Sequence, residues 1–462
     1  MATSLVINSC PQDQRNYNHR LYLNQLVTFK YCSVAIAMAM KIEKQSTKII
    51  KPLVPTPTLR RYKLGLVDEF APSINVGVVL FFSSNSNHDP KFIAQLEKSL
   101  EKTLTRFYPL CGRYDSKTQT IDCNDEGADF ISAKVNIKLQ DILVSEDVHF
   151  IDEFIPSKIG VVDDQLNASL LATQVTTFEC GGLALGVSVS HRLVDASTLC
   201  TFINEWGLIN RAEHETEPAG PGFISSSLFP ARGLPPYPVP LMGDDMFTKF
   251  IRKKLSFSAS VISNMKANYT NSTRKWSKVQ LVSAIIWKAL MVVDRATYNC
   301  QKESILLQPF NLRGKMASDI PKNACGNLWG YFATKATTNE TTKELTDLLC
   351  DSVKKTVSEL SKAYHDTEEG QMMILNCLIQ LGGVDLESTN VSGITSWCKF
   401  PFYEADFGFG KPSWVAPGTL PIQNSAFFMD DSEGNGLEAY VFLEVKDVLF
   451  FEEALNSIAF AT

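Results

Sequence analysis

The chain has 462 residues, 45% hydrophobic and 20% charged, the make-up of an ordinary globular protein with ample material for a core. Its length admits two or three domains. A formal net charge of -6 and a pI near 5.7 give no electrostatic reason to expect nucleic acid or an anionic membrane as partner. The eleven cysteines are odd in number, dispersed and never in C-x-x-C spacing, so they read as reduced thiols of a cytoplasmic protein. The six histidines are scattered, no H-E-x-x-H occurs, and a metal site is not expected. Without a G-x-S-x-G elbow or a G-x-x-x-x-G-K-[ST] loop, a serine hydrolase and a P-loop enzyme are both disfavoured.

In chain order, residues 1–40 stand apart. They hold one acidic residue, Asp13, and a short apolar stretch, Cys32 to Met40, too short to span a bilayer and late for a secretory segment. A dispensable extension is expected, with a transit peptide as the alternative. Residues 41–212 alternate strand and helix patterns and are expected to form an N-terminal domain. The unbroken apolar run Val76 to Phe82 predicts a buried strand, and Ile93, Leu96, Leu100 and Leu104 recur at helical spacing. Leu183 to Ser190 alternates and predicts a half-buried strand entered from the Gly181-Gly182 turn. Asp195-Ala196-Ser197 then opens a helix carrying Leu199, Phe202, Ile203 and Trp206. Residues 213–245 are crowded with proline and glycine and read as a crossover to a C-terminal domain, 246–462.

The chemistry is concentrated where that strand gives way to that helix, at His191-Arg192-Leu193-Val194-Asp195. An imidazole there is held rigidly, and with an ordinary pKa of about 6.5 it suits the deprotonation of an alcohol near neutral pH. Taken alone, the pentad reads more readily as a structural His with a local Asp. A second motif, Asp406-Phe407-Gly408-Phe409-Gly410-Lys411-Pro412, describes a tight loop with alternating aromatics. Between them, Ser277-Lys278-Val279-Gln280 has the capping-box pattern at a helix start. Such a terminus with lysines nearby is either an anion site or a plain cap.

H-x-x-x-D near the middle and D-F-G-x-G-K-P near the C-terminus resemble the plant BAHD acyltransferases, which move acyl groups from coenzyme A thioesters. Further segments fall in that family's order: Tyr62-Lys63-Leu64, Phe107-Tyr108-Pro109-Leu110-Cys111-Gly112-Arg113, Asn311-Leu312-Arg313 and Gly326-Asn327-Leu328. The match runs from about Lys51 to the C-terminus. The resemblance implies an α/β fold of two similar-sized, chloramphenicol acetyltransferase-like mixed-sheet domains with a solvent channel between them. It makes His191 the general base, reached from both faces, with direct transfer and no acyl-enzyme. It turns Asp195 away from the cleft into an ion pair with Arg313, and lets Thr395 of Thr395-Ser396-Trp397 hydrogen-bond the oxyanion, unless Thr395 is only a strand-edge residue. Asp406 belongs to the family's site motifs, although a loop-fixing ion pair is the physical expectation. Ser277, Lys278, Gly326 and Asn327 are implied to approach coenzyme A. Phe409 replaces the family's usual Trp and loses an indole N–H donor.

Within the family the chain is most similar to alkaloid O-acetyltransferases, through Cys123-Asn124-Asp125, Phe178-Glu179-Cys180-Gly181-Gly182 and Ser396-Trp397-Cys398. The implied reaction takes acetyl-CoA, as a co-substrate and not a resident cofactor, to a hydroxyl of a specialised metabolite, in a cytoplasmic monomer without membrane or nucleic-acid partners. Two alternatives stay open: an ester-forming enzyme for volatile alcohols, and a silent paralogue that only binds a metabolite.

Overall fold

The computed structural model describes residues 40–56, 61–83, 91–145, 148–156, 168–211, 222–234, 250–267, 274–298, 302–385, 387–420 and 422–460. The extension 1–40 lies outside these save for its last residue, and the 213–245 crossover is described only at 222–234.

Two six-stranded mixed sheets organise the chain. The first runs Ile42–Ile50, Ala128–Val135, Leu171–Phe178, Leu183–Ser190, Asn75–Phe82 and Trp414–Pro417. The second runs Phe250–Phe257, Leu437–Glu444, Ser425–Asp430, Thr389–Ser396, Glu303–Asn311 and Trp329–Ala336. Each combines parallel and antiparallel pairs, so each needs helical crossovers on its faces.

The unbroken apolar run of Asn75–Phe82 is buried from Val76 onward, as such a run requires. Helix Lys91–Arg106 turns Leu96, Leu100 and Leu104 inward. It is locked to helix Ala196–Arg211 by polar contacts inside the seam. Trp206 Nε1 donates to Ser99 Oγ at 3.0 Å, and Ser99 Oγ donates to Asn210 Oδ1 at 2.8 Å.

Strand Leu183–Ser190 departs from its sequence pattern: seven of its eight residues are buried, not every second one. The segment His149–Phe154 covers its second face, and Gly186 admits it. A Cβ at Gly186 would lie 1.9 Å from the Phe154 carbonyl oxygen.

The last strand of the first sheet comes from late in the chain. Trp414–Pro417 pairs antiparallel with Asn75–Phe82, and Trp414 stacks on Phe81 at 5.1 Å. The sheets are therefore stitched by the segment that carries the D-F-G-F-G-K-P motif. Arg252, buried on the edge strand Phe250–Phe257 of the second sheet, adds a further tie: it donates to the Pro417 carbonyl at 3.1 Å and pairs with Asp152.

Candidate active site

The turn after Leu183–Ser190 is held by backbone bonds before any side chain acts. The His191 N–H donates to the Ile74 carbonyl at 2.9 Å, and the N–H groups of Leu193 and Val194 both return to Ser190 at 3.2 Å. Leu193 and Val194 are buried beneath the turn. Arg192 swings outward over the Tyr114 ring, 4.2 Å from its centroid.

Asp195 borders the imidazole's cavity, but both of its carboxylate oxygens are spent on protein donors. Its Oδ1 accepts the Thr198 N–H at 2.8 Å, which caps helix Ala196–Arg211, and its Oδ2 accepts the Leu328 N–H at 3.0 Å. Arg313 completes the shell with Nη1 on Oδ2 at 2.8 Å and Nη2 on Oδ1 at 3.3 Å. Burial alone would raise this carboxyl, but the Arg313 guanidinium and the two backbone N–H donors outweigh it and hold Asp195 below the ordinary carboxylate value. The rest of Arg313 is equally committed, to the carbonyls of Ala324 and Gly326, to Asn311 Oδ1 and to Thr198 Oγ1.

His191 lines a cavity of about 170 Å³ between the two sheets. Pro72, Ile74 and Val76 come from the first-sheet side, and Phe310, Trp329 and Thr395 from the second. The His191 ring meets the Trp329 indole edge-on at 6.2 Å. Burial depresses the His191 pKa below its ordinary value, opposed in part by Asp195. The imidazole is thus neutral, and able to accept a proton, across neutral pH. Its Nδ1 is buried without a hydrogen-bond partner, so no carboxylate orients it in triad fashion.

Thr395 stands at the end of strand Thr389–Ser396 and faces the same cavity, beside Trp397. The structure therefore brings His191 and Thr395 together. Asp406 is not among the lining residues. Its Oδ1 accepts the N–H groups of Gly408 (2.8 Å) and Gly410 (3.1 Å), and its Oδ2 meets Arg211 at 3.3 Å. Both glycines have φ near +100°, where a side chain would be strained, so the loop is a glycine-specific turn wound around one carboxylate. Phe409 supplies packing without the indole, edge-on to Phe82 at 4.6 Å and Phe92 at 4.8 Å.

The four residues expected near coenzyme A are differently engaged. Ser277 and Gln280 form a reciprocal cap on helix Lys278–Tyr298, with bonds of 2.9 and 3.1 Å. Lys278 Nζ is spent on Asp430 and on the carbonyls of Gly434 and Gly436. Gly326, at φ +106°, exchanges hydrogen bonds with Thr198 Oγ1. Asn327 is fully buried, and its amide donates to Asp68 and to the His191 carbonyl. None of the four lines the His191 cavity.

The cavity walls Phe310 and Trp329, and Asp68 behind Asn327, are among the residues that carry no expectation from sequence. For Asp68 a weak signal exists, an acid directly after the apolar stretch Leu64-Gly65-Leu66-Val67. For the aromatic walls there is none, since any core strand looks the same.

This geometry is a base and a hydroxyl donor at an apolar slot between two sheets. The profile of the Transferase family matches residues 40–458. Vinorine synthase of Rauvolfia serpentina is 33% identical over 418 residues, spanning 87% of this chain and 94% of that protein. The chain belongs to the BAHD acyltransferases. A second relative of this BAHD enzyme is the Salvia splendens pelargonidin 3-O-(6-caffeoylglucoside) 5-O-(6-O-malonylglucoside) 4'''-malonyltransferase, 33% identical over 434 residues, 90% of this chain and 98% of that one. The crystal structure of vinorine synthase matches with a TM-score of 0.77 at 29% identity, covering 90% of this chain and 98% of that one. F. sporotrichioides TRI101, complexed with coenzyme A and T-2, shares the fold, with a TM-score of 0.63 at 18% identity over 85% of this chain and 97% of that one. As a BAHD acyltransferase, the chain uses an acyl-CoA as co-substrate. Among the described residues no helix is long and apolar enough to cross a membrane.

Proposed function

We propose that this BAHD enzyme transfers an acetyl group from acetyl-CoA to a hydroxyl of an alkaloid or another specialised plant metabolite, with His191 as general base. The acceptor oxygen attacks the thioester carbonyl while the imidazole takes its proton. The Thr395 hydroxyl donates to the resulting oxyanion. Collapse breaks the carbon–sulfur bond, and the imidazolium returns the proton to the coenzyme A thiolate. Neither step needs an acyl-enzyme.

The observation that carries the acetyl assignment is the lining of the cavity. Among the described residues no lysine or arginine lines it, and the one carboxylate among them, Asp195, is bound to Arg313. A malonyl group would bring a free carboxylate into a slot that offers it no cation, at a desolvation cost of several kcal/mol. A neutral acyl group and a neutral acceptor meet no such penalty. The vinorine synthase and stemmadenine O-acetyltransferase relatives lend the alkaloid class its support. A second reading, a small volatile alcohol as acceptor, is favoured by the cavity's about 170 Å³, below the roughly 300–1,000 Å³ of sites for drug-sized ligands. A cytoplasmic location accompanies this proposal, supported by eight described cysteines that are all unpaired.

The test is a panel of acetyl-, malonyl- and longer acyl-CoA donors against alkaloid alcohols and short aliphatic alcohols, with product masses read out. Acetyl esters of alkaloid alcohols are expected. Malonyl esters as the main product would overturn the donor assignment. Acetyl esters of short alcohols alone would select the second reading, and no product from any pair would point to a silent binder.

A further inference from the structure

Asp68 lies on the short helix Leu66–Phe70 and is 4% exposed. Among the described residues it has no salt-bridge partner. Its Oδ2 accepts the Gly65 N–H at 2.7 Å, and its Oδ1 accepts the Asn327 side-chain amide at 2.8 Å and the Asn327 N–H at 3.4 Å. A carboxylate buried on such terms is costly, and burial pushes its pKa up to about 7 against the pull of those donors. A plain helix cap needs only the Gly65 contact.

The remaining contacts concern Asn327. The ionised Asp68 carboxylate accepts from the Asn327 NH₂ group and so favours the amide orientation that the Trp329 indole N–H on Oδ1 also requires. In that orientation the second amide hydrogen goes to the His191 carbonyl, at 2.8 Å, and Oδ1 accepts the Trp329 indole N–H at 3.1 Å. One side chain thereby holds both the backbone of the His191 turn and the indole that packs edge-on to the imidazole. Asp195 secures the same turn four residues later, through Arg313.

We propose that Asp68 is a positioning residue for catalysis: through Asn327 it fixes the His191 carbonyl and the Trp329 ring, and so the aim of the imidazole into the cavity. The inference rests on His191 being the base.

The test separates aim from stability by exchanging the pair. Asn327→Asp offers no side-chain N–H to Asp68 or to the His191 carbonyl, and keeps only the 3.4 Å backbone N–H on Asp68. It should lower kcat more than tenfold, with KM for acetyl-CoA within about twofold of wild type. In the double variant Asp68→Asn/Asn327→Asp, the residue-68 amide donates to the residue-327 carboxylate, so the pair is restored. Its melting temperature should return toward wild type. The His191 carbonyl still receives no N–H, so kcat should stay at least tenfold down. A double variant with wild-type kcat would show that the pair serves the fold alone, and the proposal would fall. Should the double variant not fold, Asp68→Asn alone decides, because it leaves one oxygen but sets two donors against each other. A several-fold loss of kcat in folded protein supports the proposal, and full kcat overturns it. His191→Ala is assayed in parallel. If it turns over normally, the base reading has failed; if it is inactive while Asn327→Asp is fully active, the positioning role alone has failed.

Discussion

Arg313 reaches across 118 positions of sequence to grip Asp195 with two nitrogens, Nη1 on Oδ2 at 2.8 Å and Nη2 on Oδ1 at 3.3 Å. The same carboxylate caps the helix that follows the His191 turn, so one buried ion pair ties the turn of the first sheet to a strand end of the second. Such a pair adds little net stability over an apolar substitute, yet removing one partner leaves a buried charge alone and costs about 3–5 kcal/mol. Arg313→Ala and Asp195→Asn should therefore melt earlier and lose activity together. A variant that keeps the wild-type melting temperature but is inactive would make Asp195 a participant in the chemistry.

His191 behaves oppositely. Its backbone carries the structural bonds, to Ile74 and from Asn327, while its Nδ1 has no partner. His191→Ala should thus leave the melting temperature close to wild type and cut turnover by about 10²–10⁴, the usual worth of a general base. Matched thermal melts and initial rates check both halves.

The pH dependence follows from the direction of the His191 shift. Burial lowers its pKa from the ordinary 6.5, and for the proposed general base the neutral ring is the active form. Protonation that silences the enzyme then requires a pH below 6.5, so the acid limb of kcat/KM should be centred on that side. In the unfolded chain the same ring protonates near its ordinary value. Below that pH the unfolded state binds the extra proton, and stability falls as pH drops. His191→Ala should flatten this fall. An acid limb above pH 7 would contradict a buried base.

The strand–turn–helix around His191 was legible because its signals are local: an apolar run, a capping Asp and a helical period. The Ser277–Gln280 cap was legible for the same reason. What escaped is decided by distant partners. The second buried face of Leu183–Ser190 exists because Phe154 arrives over Gly186, which no alternation pattern announces. Lys278 looks like a free cation in sequence, yet Asp430 and two carbonyls beyond 150 positions away consume it. A four-residue strand such as Trp414–Pro417 is too short to show a period, so its crossing to the first sheet cannot be read locally.

Thr395 gives a clean magnitude. Thr395→Val keeps the branched shape and removes only the hydroxyl. If that hydroxyl meets the oxyanion, the loss should be about 10²–10³ in kcat, equivalent to about 2.7–4 kcal/mol in the transition state. KM for both substrates should hardly move, because the charge it meets is absent from the ground state. A loss confined to KM would assign Thr395 to substrate binding instead.

Asp406 invites a comparison of its two kinds of partner. The contact with Arg211 is solvent-exposed, and such pairs contribute about 0–1 kcal/mol. The two N–H bonds from Gly408 and Gly410 are made to a charged acceptor, and bonds of that kind contribute about 1.5–3 kcal/mol each. The glycine contacts should therefore dominate. Arg211→Ala is expected to lose less than about 1 kcal/mol in denaturant titration. Asp406→Ala should lose more, about 2–4 kcal/mol, because the positive-φ turn is left without the acceptor that winds it. Below its melting point, folded Asp406→Ala should turn over within a few-fold of wild type, since the residue lies outside the His191 cavity. Equal losses in the two variants would show that the ion pair matters more than the turn. A stable Asp406→Ala protein with kcat down by hundreds would place this carboxylate in the catalytic machinery after all.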